Sequence, residues 1–434
     1  MIKKLVIVLI TILAVQVHAQ DRTSSPYSFY GIGSLKFKGT VENRSMGGIS
    51  MYTDSIHVNL QNPASTVSPN LKMFQGESRP IKFAVGGTYS SVTLKGDGSS
   101  DKASTTTFDY FAMTIPMGKF GMTFGLVPYT AVGYKLESIQ DEVLTNRFRG
   151  EGGLNKVFFD LGYQITNELS FGVDVAYNFG NIQNAAIEYV YGDDGELVQY
   201  QTREDNRSDL SGLSVNLGLA YTKLLNRKLQ LKTGATYSPK SDIRSKNTRS
   251  FSTIIINEFS GQEFVVNTID ADLVADGLHE TDLTLPSSVS LGVGLGRPKQ
   301  WFVGAEYTRQ YTSQFGNPVV DIDNSNFIDG SVMSLGGFII PDYDSFGNYW
   351  KRVTYRAGVR FENTGLEINN EKIDEFGISF GAGLPIGGLF SNANIGFEFG
   401  NRGTTNENLI KENFFNFQIG LSLNDRWFQK RKYD

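Results

Sequence analysis

The sequence predicts an all-β fold: a transmembrane antiparallel β-barrel of about fourteen strands over residues 81–434, preceded by a compact segment at residues 20–80. Three observations point there. After Ile81, large apolar residues alternate with small or polar ones. Tight turns alternate with long polar connections. Beyond the first twenty residues, no apolar run approaches the ~20 residues that a membrane-crossing helix needs.

Composition narrows the field before any strand is placed. The 434 residues include 47 Gly, 31 Phe and 20 Tyr but only 3 His and no Cys, which removes thiol nucleophiles, zinc ribbons and disulfide frameworks. The net charge of −5 becomes −7 once Lys3 and Lys4 leave with the leader. Such an acidic chain is ill suited to nucleic acid, whose binding rests on Lys and Arg neutralising phosphates. With charged residues at 20% and aromatic ones at 12%, well mixed, the chain is not disordered.

Residues 1–19 read as a secretory signal peptide. Lys3 and Lys4 form its positive start, Leu5 to Val15 its apolar stretch, and Val17-His18-Ala19 a small-residue cleavage site. A stretch of about eleven residues is too short to span a bilayer. A retained anchor is the alternative.

The last strand shows the alternation best. Phe415, Phe417, Ile419, Leu421 and Leu423 fall on one face; Asn416, Gln418, Gly420 and Ser422 fall on the other. The pattern recurs at Phe120–Leu126, Phe171–Gly180 and Val289–Gly296, and a period of two gives a sheet one apolar and one polar face. A soluble sandwich would turn the apolar face inward, a membrane barrel outward. The connections favour the barrel. Tight turns at Pro116–Lys119, Thr166–Glu168, Asn226–Lys228, Arg297–Gln300 and Pro385–Gly388 alternate with long polar stretches at Lys95–Ser104, Asn184–Asp209, Ser241–Glu280, Ser313–Gly330 and Gly400–Lys411. That is how the two ends of an outer-membrane barrel differ. Strands are expected to start near residues 81, 105, 119, 142, 169, 197, 228, 281, 301, 331, 351, 373, 389 and 413. Tyr129, Tyr134, Trp301, Tyr307, Trp350, Trp427 and Phe428 are expected in the aromatic girdles at the membrane interfaces.

Residues 20–80 do not alternate. They are rich in Gly, Ser, Asn and Pro, with short apolar pieces at Pro26–Gly33, Asn43–Ser50 and Asn62–Ser65. A fourteen-strand barrel has a lumen wider than its own side chains fill, so a compact N-terminal hatch inside it accounts for both facts. Gly31-Ile-Gly33, Arg44-Ser-Met-Gly47-Gly48, Asp54-Ser55 and Asn62-Pro63-Ala64 resemble the N-terminal hatch of the FadL outer-membrane transporters. Tyr349–Gly358 and Asn424–Lys432 look like FadL-type barrels of Bacteroidota.

The resemblance implies a channel in the outer membrane of a Gram-negative bacterium for passive uptake of hydrophobic compounds such as long-chain fatty acids. It implies no cofactor and no metal; its partners would be outer-membrane lipid and a hydrophobic small molecule. The same family includes PorV-like proteins, so an accessory barrel of type IX secretion or surface assembly, with a secretion-machinery protein as partner, stands as the alternative. The hatch aromatics Tyr27, Phe29 and Tyr30 could line a greasy pocket, or could only pack the hatch against the wall. By resemblance Gly47, Gly48, Asn62, Pro63 and Ala64 mark the hatch, with Asn62–Ala64 on its periplasmic side. Its ordinary reading is a turn.

Gly125–Gly133 places Pro128 inside an alternating run. Proline cannot donate to the ladder and indicates a bulge, a kink or an unpaired stretch, or simply a strand end. By resemblance a kink in the third strand opens the wall sideways, making Gly125, Pro128 and Gly133 the candidate lateral gate.

No catalytic site is expected. After cleavage only His57 and His279 remain; His57 near Asp54 and Ser55 suits a solvated or capping role better than a triad. Asp321–Asn326 lacks the glycine and glutamate of a calcium loop. Gly292, Gly294 and Gly296 read as small lumen-facing residues, since no helix follows them.

Overall fold

The computed structural model describes residues 23–36, 39–54, 56–67, 80–96, 98–140, 143–226, 228–257, 260–316, 324–386 and 391–425. The expected signal peptide, Ser55, the first half of Asp321–Asn326, and Trp427 and Phe428 lie outside the described residues.

Twenty strands follow in chain order: β1 (Ser34–Leu35), β2 (Ile81–Lys95), β3 (Ser100–Met117), β4 (Phe120–Pro128), β5 (Thr130–Gln140), β6 (Val143–Gln164), β7 (Leu169–Glu188), β8 (Gln201–Leu224), β9 (Gln230–Ser238), β10 (Ser241–Ile256), β11 (Glu263–Asp270), β12 (Glu280–Leu285), β13 (Ser288–Arg297), β14 (Trp301–Gln310), β15 (Ser325–Phe327), β16 (Gly330–Ile339), β17 (Thr354–Ile368), β18 (Glu371–Ile386), β19 (Ser391–Arg402) and β20 (Lys411–Asp425). Fourteen of them build a closed antiparallel wall, in the order β2, β3, β4, β6, β7, β8, β9, β13, β14, β16, β17, β18, β19, β20. Pairing of β20 with β2, from Ile81↔Asp425 to Lys95↔Lys411, closes the ring and leaves it without an edge. Among the described residues no helix is long and apolar enough to cross a membrane.

The lower half of the wall, nearer the tight turns, turns its apolar face outward. Val175, Tyr177, Leu291, Val293, Leu335 and Phe399 are all exposed, as a lipid-facing band requires. Inward positions carry small or polar residues: Ser170, Asp174, Ala176 and Asn178 on β7, Asn416, Gln418 and Ser422 on β20.

Most of the stretches expected to be long polar connections are strand instead. β3 begins at Ser100, β8 at Gln201, and β10 and β11 occupy much of Ser241–Glu280. A transmembrane strand needs only about 9–11 residues. The 22 residues of β6 and 24 of β8 therefore run well past the bilayer, where water on the outer face removes the apolar alternation. There the inward side becomes the apolar one. Val132, Tyr134, Leu154, Ile182, Leu210, Ile243, Leu283 and Leu285 pack into one core with Ile32 of the N-terminal segment. Tyr134 is buried in this core and Tyr129 packs against it, so neither serves the expected interface girdle, whereas Trp301, Tyr307 and Trp350 are exposed.

The N-terminal segment touches wall strands on opposite sides of the ring. Arg44 pairs with Glu398 of β19 at 2.7 Å, and Ser50 hydroxyl donates to Glu306 of β14 at 2.9 Å. Ser170 of β7 donates to the Ala64 carbonyl at 3.0 Å. Glycines form its seats: a Cβ at Gly172, Gly218, Gly336, Gly358 or Gly381 would overlap Ala64, Asn62, Met46, Gly47 or Ser45.

Candidate functional site

The third wall strand is broken where the proline predicted it. β4 pairs with β3 as far as Leu126 and with β6 as far as Pro128. Past Tyr129 the chain resumes as β5, which still pairs with β6 but now takes β1 of the N-terminal segment as its other neighbour, Ser34↔Ala131 and Leu35↔Thr130. β3 keeps β2 over residues 100–110 but has no ladder to β5 among the described residues. The wall is therefore unpaired between β3 and β5. Opposite the break, β6 carries Gly152 and Gly153 at φ of +119° and +129°, a backbone that side chains rarely adopt. This Gly-Gly pair inside an alternating run is a signal that sequence reading missed.

Gly125 lies against the Phe158 ring and the Phe111 carbonyl below the break. Gly133 lies above it, its N–H donating to Ser28 hydroxyl at 3.1 Å while its open side admits the Thr23 backbone. The three residues therefore flank one interruption, with Gly133 acting as a seat for the N-terminal segment.

Beside the break is an apolar pocket of about 100 Å³. Tyr27, Tyr30, Ile32 and Leu35 line it from the N-terminal segment, Tyr129 from the break, and Phe315, Phe327, Leu366 and Ile373 from the far wall. The Phe315 and Phe327 rings stand 4.7 Å apart, and a Cβ at Gly31 would come within 2.9 Å of Phe327. Tyr27 hydroxyl donates to the Ile410 carbonyl at 2.7 Å. Burial pushes the Tyr27 and Tyr30 phenols above their ordinary range, so both are neutral. Phe29 is elsewhere: its ring packs edge-on against Tyr134 at 5.1 Å and Phe148 at 5.8 Å, in the outer core.

Below the pocket lies a polar chamber of about 320 Å³, sharing with it Ser34, Leu35, Tyr129, Pro286, Thr312 and the charged side chains Glu362 and Arg402, so the pocket is apolar except on the side that faces the chamber. Thr88, Thr105, Ser288, Ser290, Thr308 and Ser334 line it, together with a buried ion-pair network. Arg360 bonds Glu362, Glu375 and Glu398; Arg402 bonds Glu375; Ser25 donates to Glu412. This network ties the start and middle of the N-terminal segment to β17–β20.

The remaining residues expected in a hatch lie toward the tight turns. Gly47 and Gly48 have φ of +71° and +94°, and the Gly47 N–H donates to Ser379 hydroxyl at 3.0 Å. Asn62 accepts from the Ala64 N–H at 3.0 Å and donates to the Leu219 carbonyl at 2.9 Å, while Pro63 packs where Gly172 and Gly218 have no side chain. His57 is not solvated: its Nδ1 lies 2.7 Å from Asp54, which also accepts from the Ile56 and His57 N–H groups. Capping here is the work of Asp54. Among the described residues no group of three or more His, Asp or Glu could hold a metal.

Several lining residues escaped sequence reading. Phe315, Phe327, Leu366 and Ile373 sit in segments without a distinctive pattern. Pro286 had the same signal as Pro128: Ser238↔Ser288 and Ser241↔Leu285 bracket Pro239 and Pro286, prolines at which two neighbouring strands are interrupted side by side.

Solved structures with this architecture include the Pseudomonas putida toluene transporter TodX, at 17% identity and a TM-score of 0.59 over 91% of this chain and 100% of that one. The Ralstonia pickettii toluene transporter TbuX aligns at 15% identity and 0.53 over 89% and 98%. The monoaromatic hydrocarbon channel CymD aligns at 14% and 0.53 over 91% and 98%. At such identities the likeness is one of fold. No curated protein matches the sequence. A family model described as BamG matches residues 1–434, and the chain belongs to the BamG family.

Proposed function

We propose that the protein is a passive outer-membrane channel for hydrophobic compounds, with a signal peptide at 1–19, a hatch at 20–80 lying within the lumen, and a barrel at 81–434. The compound enters among the outer strands, rests in the apolar pocket, and leaves sideways between β3 and β5. One observation carries this reading: Tyr129 belongs both to the pocket and to the break in the wall. The chamber below is polar, so an apolar molecule has no favourable path down the lumen. A sideways exit spares it that desolvated polar surface. No reacting group is required, and the protein is read as a channel rather than an enzyme.

Size bears on the substrate. A dry engineered cavity of about 150 Å³ holds benzene, so a pocket of about 100 Å³ suits a single small ring or a short piece of chain. A long-chain fatty acid would fit only by extending beyond it. The hydrocarbon substrates named for TodX and CymD agree with the smaller class.

The test is uptake of radiolabelled toluene and of a labelled long-chain fatty acid by cells carrying the protein or its variants. Pro128→Val should abolish uptake while the barrel still folds, seen as unchanged heat-modifiable mobility in gels. Leu366→Trp, which fills the pocket, should do likewise. Uptake unaffected by Pro128→Val removes the lateral exit.

A second reading, an accessory barrel for secretion or surface assembly in the PorV manner, is favoured by β11. Among the described residues this strand pairs only with β10 and leaves Phe264, Val265, Val266 and Ile269 exposed, an apolar edge of the kind that pairs with other chains. Stoichiometric protein partners on purification, with uptake unchanged on deletion, would favour it.

A further inference from the structure

A second cavity, of about 330 Å³, lies on the turn side of the N-terminal segment, apart from the pocket above. One wall is aromatic and apolar: Tyr52, Phe338, Ile340 and Tyr343, with the Tyr52 ring 4.8 Å from Phe338. The rest is charged. Glu42 and Asp54 come from the N-terminal segment, Lys299, Arg352 and Arg356 from the wall and its turns.

Most of these charges are already engaged. Asp54 is held by His57 and two backbone N–H groups. Burial alone would raise its carboxyl, but the His57 ring and Lys82 beside it hold it well below the usual carboxylate range. Arg356 donates to Asn394 at 3.1 Å, and Lys82 donates to the Asp54 and His57 carbonyls at 3.0 and 2.9 Å. Lys232 donates to the Thr53 carbonyl. Glu42 Oε1 accepts from Asn394 at 2.6 Å and Ser422 at 2.9 Å.

Two buried atoms in this one cavity are left over among the described residues: Glu42 Oε2, an acceptor without a donor, and Arg352 Nε, a donor without an acceptor. Glu42 is only 4% exposed, so bulk water does not satisfy it. A bare cation would meet Lys299, Arg352 and Arg356; a bare anion would meet Glu42 and Asp54. A single molecule offering both a donor and an anionic acceptor satisfies both atoms without opposing either set of charges.

We propose that this turn-side cavity binds a zwitterion carrying a primary ammonium beside a phosphate or carboxylate, the ammonium on Glu42 Oε2, the anion on Arg352 with Arg356 and Lys299 near, and any apolar body against Tyr52 and Phe338. The headgroup of an aminophospholipid and a free aminoalkyl phosphate share this chemistry. The site is independent of the transport reading, since it shares no lining residue with the apolar pocket.

The test uses the full-length protein in detergent, titrated calorimetrically with O-phosphoethanolamine, and with inorganic phosphate and ethanolamine as its halves. The zwitterion is expected to bind at least about tenfold more tightly than either half, and Arg352→Gln and Glu42→Gln each to weaken it by about tenfold or more, as loss of a charge-assisted hydrogen bond does. Glu42→Gln keeps an acceptor for Asn394 and Ser422; Arg352→Gln sits near the cavity mouth and covers the case in which the first variant fails to fold. Phosphatidylethanolamine retained at one per protein after exchange into mixed-lipid nanodiscs assigns the site to lipid. Probe binding without such retention assigns it to a free solute. No binding at millimolar concentration, halves as tight as the whole, or an affinity unmoved by Arg352→Gln overturns the proposal.

Discussion

Along β7 the inward residues Ser170, Gly172, Asp174, Ala176 and Asn178 are small or polar, and Phe171, Val173, Val175 and Tyr177 face out. A few residues further on, the inward residue is Ile182, and Asn181 and Gln183 face out. The same strand thus changes solvent along its length. In the lower half the outer medium is lipid, so apolar groups face it, and wall glycines there meet the N-terminal segment closely. In the outer half the medium is water, so the sheet buries its apolar groups inward as a soluble domain does. The break at Pro128 and the proline pair at 239 and 286 fall between these halves, and the apolar pocket lies at the same junction. A junction of two packing regimes is where a wall strand can leave its neighbour at least cost.

The contrast can be broken from either side. Leu283→Ala removes a fully buried side chain from the outer core and should cost about 2–5 kcal/mol. Because that core is separate from the lipid band, limited proteolysis should cut the outer strands while the lower barrel keeps its heat-modifiable gel mobility. Loss of the whole barrel would show that the halves fold as one unit.

Val175→Arg, on the lipid face, should cost about 2–4 kcal/mol if near the bilayer midplane, read from urea unfolding in vesicles. Gln183→Arg, eight positions along the same strand and on the same face, should stay within about 0.5 kcal/mol. Equal penalties would remove the distinction between the halves.

A small loss is also expected at the outermost ion pairs, where Glu263 of β11 meets Arg203 at 2.8 Å and Arg149 at 2.9 Å. Glu263→Gln should cost under about 1 kcal/mol, since the pairs are partly exposed and screened. Burial alone would raise the Glu263 carboxyl, but its bonds from Arg203 and Arg149 hold it below the ordinary glutamate value. The contribution is therefore present above about pH 4.5 and fades as pH falls further. Hydrogen exchange at β11, compared at pH 7 and pH 4, checks the sign: protection should drop at the lower pH in the native protein and not in the variant.

How much of this was legible in the sequence depends on which forces act locally. Thirteen of the expected strand starts lie within about five residues of the observed ones, because a period of two is written in neighbouring residues. The exception is 281, which marks β12 rather than the wall strand β13 that resumes after Pro286. Pro128 was legible because a missing N–H leaves one side of a strand without a donor, and here it is the β3 side that loses its ladder after Leu126. The polar stretches were misread as loops because alternation marks a strand only where its two faces meet different media, and beyond the bilayer Asp242, Arg244 and Lys246 simply face water. Tyr27, Phe29 and Tyr30 were candidates by composition, but that Phe29, though its ring touches Tyr30 edge-on at 5.2 Å, does not line the pocket follows from which way each ring turns within a single helical turn, Pro26–Phe29 and its cap.

The sequence by itself determined the strand count, the apolar band and the place where the third strand breaks, since each follows from residues adjacent in the chain. Only the tertiary structure decided that Tyr129, Phe315, Phe327, Leu366 and Ile373 line one pocket, that Glu42 and Arg352 share a cavity, and that wall glycines seat the N-terminal segment. Those contacts join residues up to several hundred positions apart, and closing the ring is what sets them at contact distance.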